Sequence, residues 1–130
     1  ADEIIRIPEK IKLLQMNVSS GSFAAPTATV ELEIEGKVKK TAVMGDGPVD
    51  ATFKAIKKLT RMQPELVNFS VGSITGGTDA LGECTVRLNY GGHEVLGQGA
   101  HSDIIVSSAK AYINALNKAL NAKQRKQGPV

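Results

Sequence analysis

At 130 residues the chain is well short of the ~250 that a typical (β/α)8 barrel occupies, so it has room for one small domain. Hydrophobic residues make up 42% and charged residues 22%; that balance excludes a disordered chain, and no apolar run reaches the roughly 18 residues of a membrane span. The net charge of +3 comes from scattered Lys and Arg with only five aromatics, Phe23, Phe53, Phe69, Tyr90 and Tyr112, too few stacking platforms for a single-strand binder, so neither nucleic acid nor membrane is an expected partner.

The start, Ala1-Asp2-Glu3, has no signal-peptide character, and a cytoplasmic location is expected. The lone Cys84 has no partner for a disulfide or a metal site and reads as a small buried strand residue. Residues 1–9 read as the end of a linker. Residues 10–20 alternate imperfectly, as a strand does, and residues 29–35 alternate cleanly, with Val30, Leu32 and Ile34 on one face. Gly36 is a hairpin turn into a third strand over residues 37–44. The glycine-rich turn Gly45-Asp46-Gly47 then leads into a helix starting at Pro48, a favoured first position, with Val49, Phe53, Ile56 and Leu59 on one stripe and Pro64 as the stop. The second half repeats the order. Strands are expected over residues 66–75, 83–90 and 93–99, with Cys84, Val86, Leu88 and Tyr90 on the inner face and Gly91-Gly92 as the second hairpin turn. A second helix follows Ser102 as N-cap, with Ile105, Ala109, Tyr112, Leu116 and Leu120 at helical spacing. Residues 123–130 form a basic tail.

The halves also match in sequence. Thr-Val-Glu-Leu-Glu-Ile-Glu-Gly at 29–36 lies over Thr-Val-Arg-Leu-Asn-Tyr-Gly-Gly at 85–92, a shift of 56 residues. The same shift carries Ile11 to Val67, Leu13 to Phe69, Val18 to Ile74 and Gly21 to Gly77, and the helices match at 56 or 57. The expected class is α+β: two pseudo-twofold βββα units, about 10–64 and 66–120, forming one domain over 10–122.

The chemistry concentrates at the two helix starts. Gly45-Asp46-Gly47-Pro48-Val49-Asp50 and its expected mate, Gly97-Gln98-Gly99-Ala100-His101-Ser102-Asp103, each place backbone amides at the positive end of a helix, a seat for a small carboxylate. Asp46, Asp50, Asp79 and Asp103 lie nearby to meet an ammonium group. A free amino acid with an apolar side chain would satisfy both needs. His93 and His101 are not at metal-ligand spacing, and His101-Ser102-Asp103 is too contiguous for a catalytic triad. Loop 76–80, Gly76-Gly77-Thr78-Asp79-Ala80, is too rich in small residues for simple packing and reads either as a flexible hairpin or as a ligand-contacting loop.

Three ordered motifs, Gly45 to Ala51, Thr75 to Ala80 with the strand that follows, and Gly97 to Tyr112, closely resemble the C-terminal allosteric domain of 2-isopropylmalate synthases over about residues 10–120. The resemblance implies a dimer of paired βββα units following a metal-dependent barrel that condenses acetyl-CoA with a 2-oxo acid; the divalent metal and acetyl-CoA would belong to that barrel, and no cofactor or catalytic residue is expected in this chain. It also implies an L-leucine site near the dimer interface. Carried over by position, the site takes Gly45, Asp46, Gly47, Pro48, Val49 and Asp50 from the first helix start, Gly99, His101, Ser102, Asp103 and Ile104 from the second, and Leu66, Phe69, Ser73 and Ala80 for the apolar part. Some relatives carry Tyr near Phe69 and Asp-Thr in place of His101-Ser102. Citramalate synthases carry the same domain type, for which the implied effector is L-isoleucine, and a dimerisation module without a ligand is the third reading.

Overall fold

The computed structural model describes residues 8–22, 24–74 and 81–126. Period-2 alternation gives six strands and the two apolar stripes give two helices, in the order β1 (Ile11–Gly21), β2 (Ala24–Ile34), β3 (Lys37–Met44), α1 (Pro48–Thr60), β4 (Glu65–Ile74), β5 (Leu81–Tyr90), β6 (His93–His101) and α2 (Ile104–Lys126). The strands form two antiparallel three-stranded sheets, β1-β2-β3 and β4-β5-β6, each followed by its helix, so the paired βββα architecture read from the sequence holds. Glu35-Gly36 and Gly91-Gly92 turn the second hairpin of each unit with positive φ at both positions, the backbone twist that a two-residue hairpin loop requires.

The shift of 56 residues holds for β2 and β5, for β3 and β6 and for the helices, but fails for β1 and β4. Leu13 pairs with Leu32 and Met16 with Val30, whereas Leu88 and Val86, the equivalents of those partners, take Leu66 and Phe69. Leu13 therefore corresponds to Leu66, a shift of 53, and the matches of Ile11 with Val67, Leu13 with Phe69 and Val18 with Ile74 are wrong; Gly77 lies outside the described residues. The bulge at Leu14 in β1 recurs at Val67 in β4 with that same shift, and both bulged side chains are exposed. The cause is loop length: residues 22–23 join β1 to β2, whereas residues 75–80 join β4 to β5. Because strand faces alternate, an error of three residues exchanges the inner and outer faces.

The helix ends also differ from expectation. Ala51 N donates to Gly47 O and Ser107 N to Asp103 O, which fixes the helix shift at 56 and makes Asp103, not Ser102, the N-cap of α2. α1 ends at Arg61 in the left-handed conformation, three residues ahead of Pro64. Gly97 and Gly99 are not a turn equivalent to Gly45 and Gly47 but lie inside β6.

Those two glycines place α2. A Cβ at Gly97 would overlap the Ala111 carbonyl oxygen and lie 2.6 Å from Ala115 N; one at Gly99 would lie 2.6 Å from Ala111 N. The helix answers with small residues, Ser107, Ala111 and Ala115, all buried, and the two backbones approach to contact. Ser107 Oγ reaches the carbonyls of Gly82 (2.9 Å) and Gly99 (2.8 Å), tying α2 to both β5 and β6. Along the β6 edge, Asn114 Oδ1 accepts from Gln98 N (3.0 Å) and Lys118 Nζ donates to Leu96 O (2.6 Å), which satisfies backbone groups that an edge strand otherwise leaves open.

The units meet through aromatic rings. Phe53 of α1 stacks on Tyr112 of α2 with centroids 4.3 Å apart and stands edge-on to Phe69 of β4 at 5.7 Å. Such contacts add about 0.5–1.5 kcal/mol each beyond the area they bury. Burial also raises the Tyr112 phenol far above its ordinary pKa, so the ring serves the core and not acid–base chemistry. Across the other seam, α2 holds the start of β1 through Asn117.

Candidate functional site

The two helix starts are chemically unlike. At α1, Gly45 N donates to Pro26 O (2.9 Å), fixing the turn to β2, and a Cβ at Gly45 would lie 2.5 Å from Ala51 N, so only glycine lets the turn fold against the first helical turn. Gly47 is the N-cap in an extended conformation and gives no side-chain cap; Pro48 has no amide hydrogen. The first helical bond is made by Ala51 N, leaving the amides of Val49 and Asp50 with no acceptor among the described residues, at the positive end of the helix. Asp50 folds back: its Oδ2 accepts from Asp46 N (2.8 Å) and pairs with Lys54 Nζ (3.1 Å). The Asp46 amide first, and the Lys54 ammonium second, hold its carboxyl below the usual carboxylate range, so it is ionised at neutral pH. Asp46 itself keeps its carboxylate free of any ion pair among the described residues.

At α2 the amides are already filled. Asp103 Oδ1 accepts from Ile105 N (2.8 Å) and more weakly from Val106 N (3.4 Å), and Asp103 N donates to His101 Nδ1 (3.0 Å). Ile104 turns inward over Gly82, where a Cβ would overlap its Cδ1. Of the residues carried over to this end, then, Asp103 and His101 act as caps, Ile104 and Gly99 as packing elements, and Ser102 alone is an exposed side chain with no hydrogen bond among the described residues.

Leu66, Phe69 and Ser73 all lie on β4, while Ala80 and the loop 75–80 lie outside the described residues. Leu66, Phe69 and Val71 pair with Leu88, Val86 and Cys84, whose side chains are fully buried beneath α2. The β4 half of that same face stays open: Leu66 is 47% and Val71 50% exposed. Only Phe69 is covered, by Phe53 of α1. α1 and the apolar face of β4 are thus joined through one aromatic contact, made by Phe53 in the second turn of the helix, whereas no hydrogen bond or ion pair among the described residues links the α1 start to the α2 start.

A groove of about 1030 Å³ opens away from both helix starts, between β1 and α2. Asn117, at its floor, is the buried polar residue that sequence reasoning passed over. The signal was available: with Ile113 and Leu120 it completes a core-facing stripe at helical spacing, where an amide needs partners. Among the described residues no group of three or more His, Cys, Asp or Glu is placed to hold a metal ion, and no helix is long and apolar enough to cross a membrane.

Comparison with known proteins agrees with the architecture. The profile of the LeuA allosteric (dimerisation) domain matches residues 1–120. A 2-isopropylmalate synthase of Syntrophus aciditrophicus (strain SB) is 50% identical over 117 residues, 90% of this chain and 23% of that protein. Similar proteins of the same name occur in Carboxydothermus hydrogenoformans, 47% identical over 97% of the chain and 26% of the protein, and in Nitratidesulfovibrio vulgaris, 41% identical over 97% and 25%. The chain spans about a quarter of the length of these relatives, and it belongs to the LeuA allosteric (dimerisation) domain family.

Proposed function

We propose that this domain is the feedback sensor of a 2-isopropylmalate synthase: as a homodimer it binds L-leucine and inhibits a catalytic barrel carried elsewhere in the parent chain. The observation that carries the reading is the α1 start, where Gly47 leaves the Val49 and Asp50 amides open beside the free Asp46 carboxylate, on a helix whose Phe53 packs against Phe69 of the partly uncovered β4. The effector carboxylate would take the amides, its ammonium Asp46, and its side chain the surface of Leu66 and Phe69. The filled α2 start argues against a second, equivalent seat within one protomer. The divalent metal and acetyl-CoA of the parent reaction are assigned to the barrel and to no residue of this chain. A condensing acyl transfer is the activity proposed for the whole protein.

Titration calorimetry with leucine, isoleucine and valine in parallel tests the effector. Leucine preference is expected, by about 1–3 kcal/mol over isoleucine, the range one branching difference typically gives. Isoleucine preference would move the chain to the citramalate branch, and binding of none of the three would leave a dimerisation module.

The homodimer reading has its own expectation. β4 is an edge strand of ten residues whose only charge is Glu65, and its inner face is half uncovered, a surface that invites pairing with another chain. Val71→Asp is expected to convert the dimer to monomer in sedimentation velocity. Val38→Asp, on the lysine-rich β3 and 60% exposed, should leave it dimeric. A dimeric Val71→Asp protein would place the interface on another face.

A further inference from the structure

We infer that the β-bulges at Leu14 and Val67 stop this dimerisation domain from adding further copies of itself along its sheet edges, so that self-association ends in a closed assembly. Among the described residues, two sheets of three strands leave four edges, β1, β3, β4 and β6. Each is a row of backbone N–H and C=O groups able to take another strand. Three of the four carry a chemical block. β3 exposes Lys37, Lys39 and Lys40, charges that keep a like edge away. On β6, Gln98 N and Leu96 O are occupied by Asn114 and Lys118 of α2. At the start of β1, Asn117 takes Lys10 N and both backbone groups of Ile11. β4 has none of these. Its one charge, Glu65, is its first residue, and the stretch from Asn68 to Ile74 has neither charge nor proline, the composition of a strand that stacks on its own copies. What interrupts β4 is the bulge.

A bulge acts through the rhythm of the strand. Along a regular edge every second residue turns its N–H and C=O outward. At Leu14, and again at Val67, an extra residue lengthens one interval: Leu13 pairs with Leu32 and Gln15 with Glu31, and Leu66 pairs with Leu88 and Asn68 with Arg87. An incoming regular strand loses register there, and the added twist bends the edge away from it. The device recurs at the same place in both units, at the shift of 53 that aligns β1 with β4. Leu14 and Val67 are exposed and belong to no part of the core, so core packing does not account for the extra residue. Removing it would not turn the strand over. Leu13 and Leu66 pair with core residues while Gln15 and Asn68 pair with residues of the outer face, so deletion of Leu14 or Val67 leaves an unbroken alternation. The inference concerns the backbone edge of β4 and is independent of the dimer seam proposed on its face.

Sedimentation velocity on the 130-residue chain lacking Val67 tests this, over the concentration range in which the unaltered chain keeps a single size. The deletion variant is expected to keep the far-UV circular dichroism of the unaltered chain and to show a sedimentation coefficient that climbs with concentration. In the associated sample the amides of β4 should exchange more slowly by about tenfold, the scale of one hydrogen bond gained. Adding Ser70→Lys, a charge on the exposed outer side of the same strand, should abolish the climb. Val67→Ala keeps the extra residue and should not associate, which separates the backbone from the side chain. Should the chain lacking Val67 fail to fold, deletion of Leu14 is measured in its place with the same climb expected. A folded deletion variant that keeps the size of the unaltered chain overturns the inference, as does association that Ser70→Lys leaves in place or that Val67→Ala shares. Failure of both deletions to fold also overturns it, since the bulges would then be a requirement of the fold itself.

Discussion

Replacing Gly97 by Ala is expected to destabilise the domain by about 3 kcal/mol or more, the upper part of the range for overpacked interiors. The new Cβ would overlap the Ala111 carbonyl oxygen and approach Ala115 N to 2.6 Å. Both atoms are helix backbone, so no rotamer change relieves the contact and α2 has to retreat from β6. That retreat would strain the bonds from Ser107 to Gly82 and Gly99 and from Lys118 to Leu96. Against a typical domain stability of about 5–15 kcal/mol the loss is large. Urea unfolding reads it as a lower midpoint. Gly72→Ala is the control, since nothing lies within 4 Å of a Cβ there; that exchange should be neutral or slightly stabilising, because alanine restricts the unfolded chain. The companion change Ala115→Gly should not rescue Gly97→Ala, for it removes only the third-nearest neighbour, the Ala115 Cβ. A Gly97→Ala protein as stable as the parent would mean that α2 is not seated on β6 as described.

The repeat was legible where the two halves share loop lengths and lost where they do not. Val30, Leu32, Val86 and Leu88 announce their strands by alternation, and the Gly36 and Gly91-Gly92 turns fix where the chain reverses. The longer segment between β4 and β5 shifts β4 by three residues, and sequence comparison by a single offset could not see it because strands of mixed apolar and small residues match one another in several registers. At the helix starts, sequence supplied the right segments but not their state. Ser102 and Asp103 are both good caps by residue type, and only the chain path decides that Asp103 Oδ1 faces the Ile105 amide. Gly97 and Gly99 looked like turn residues because glycine serves both turns and close backbone contact; the run of Ser107, Ala111 and Ala115 on the following helix is the pattern that separates the two. The helical stripe marks Asn117 as buried but not what it binds, because its partners are backbone atoms at the far end of the chain.

Gly47→Asp is expected to separate stability from effector binding, raising the first and abolishing the second. A side chain at Gly47 meets nothing within 4 Å, and the backbone there is extended at φ −159°, so aspartate enters without strain. As N-cap its carboxylate would accept from the Val49 or Asp50 amide at the positive end of α1. Relative to glycine, the cap, the helix dipole and the stiffer unfolded chain together favour the fold by about 0.5–1.5 kcal/mol. The same carboxylate occupies the amides proposed for the effector and repels its charge, and loss of charge-assisted hydrogen bonds on this scale corresponds to about a hundredfold weaker binding or more. Gly47→Ala is the control: it adds neither cap nor charge, and should bind leucine nearly as the parent does with slightly lower stability. Thermal unfolding and titration calorimetry on the three proteins read both quantities. A destabilised Gly47→Asp protein would contradict the cap geometry at α1, whereas a stabilised one that still binds leucine at parental affinity would move the effector carboxylate away from this helix start and leave the open face of β4 as the part of the site to be explained.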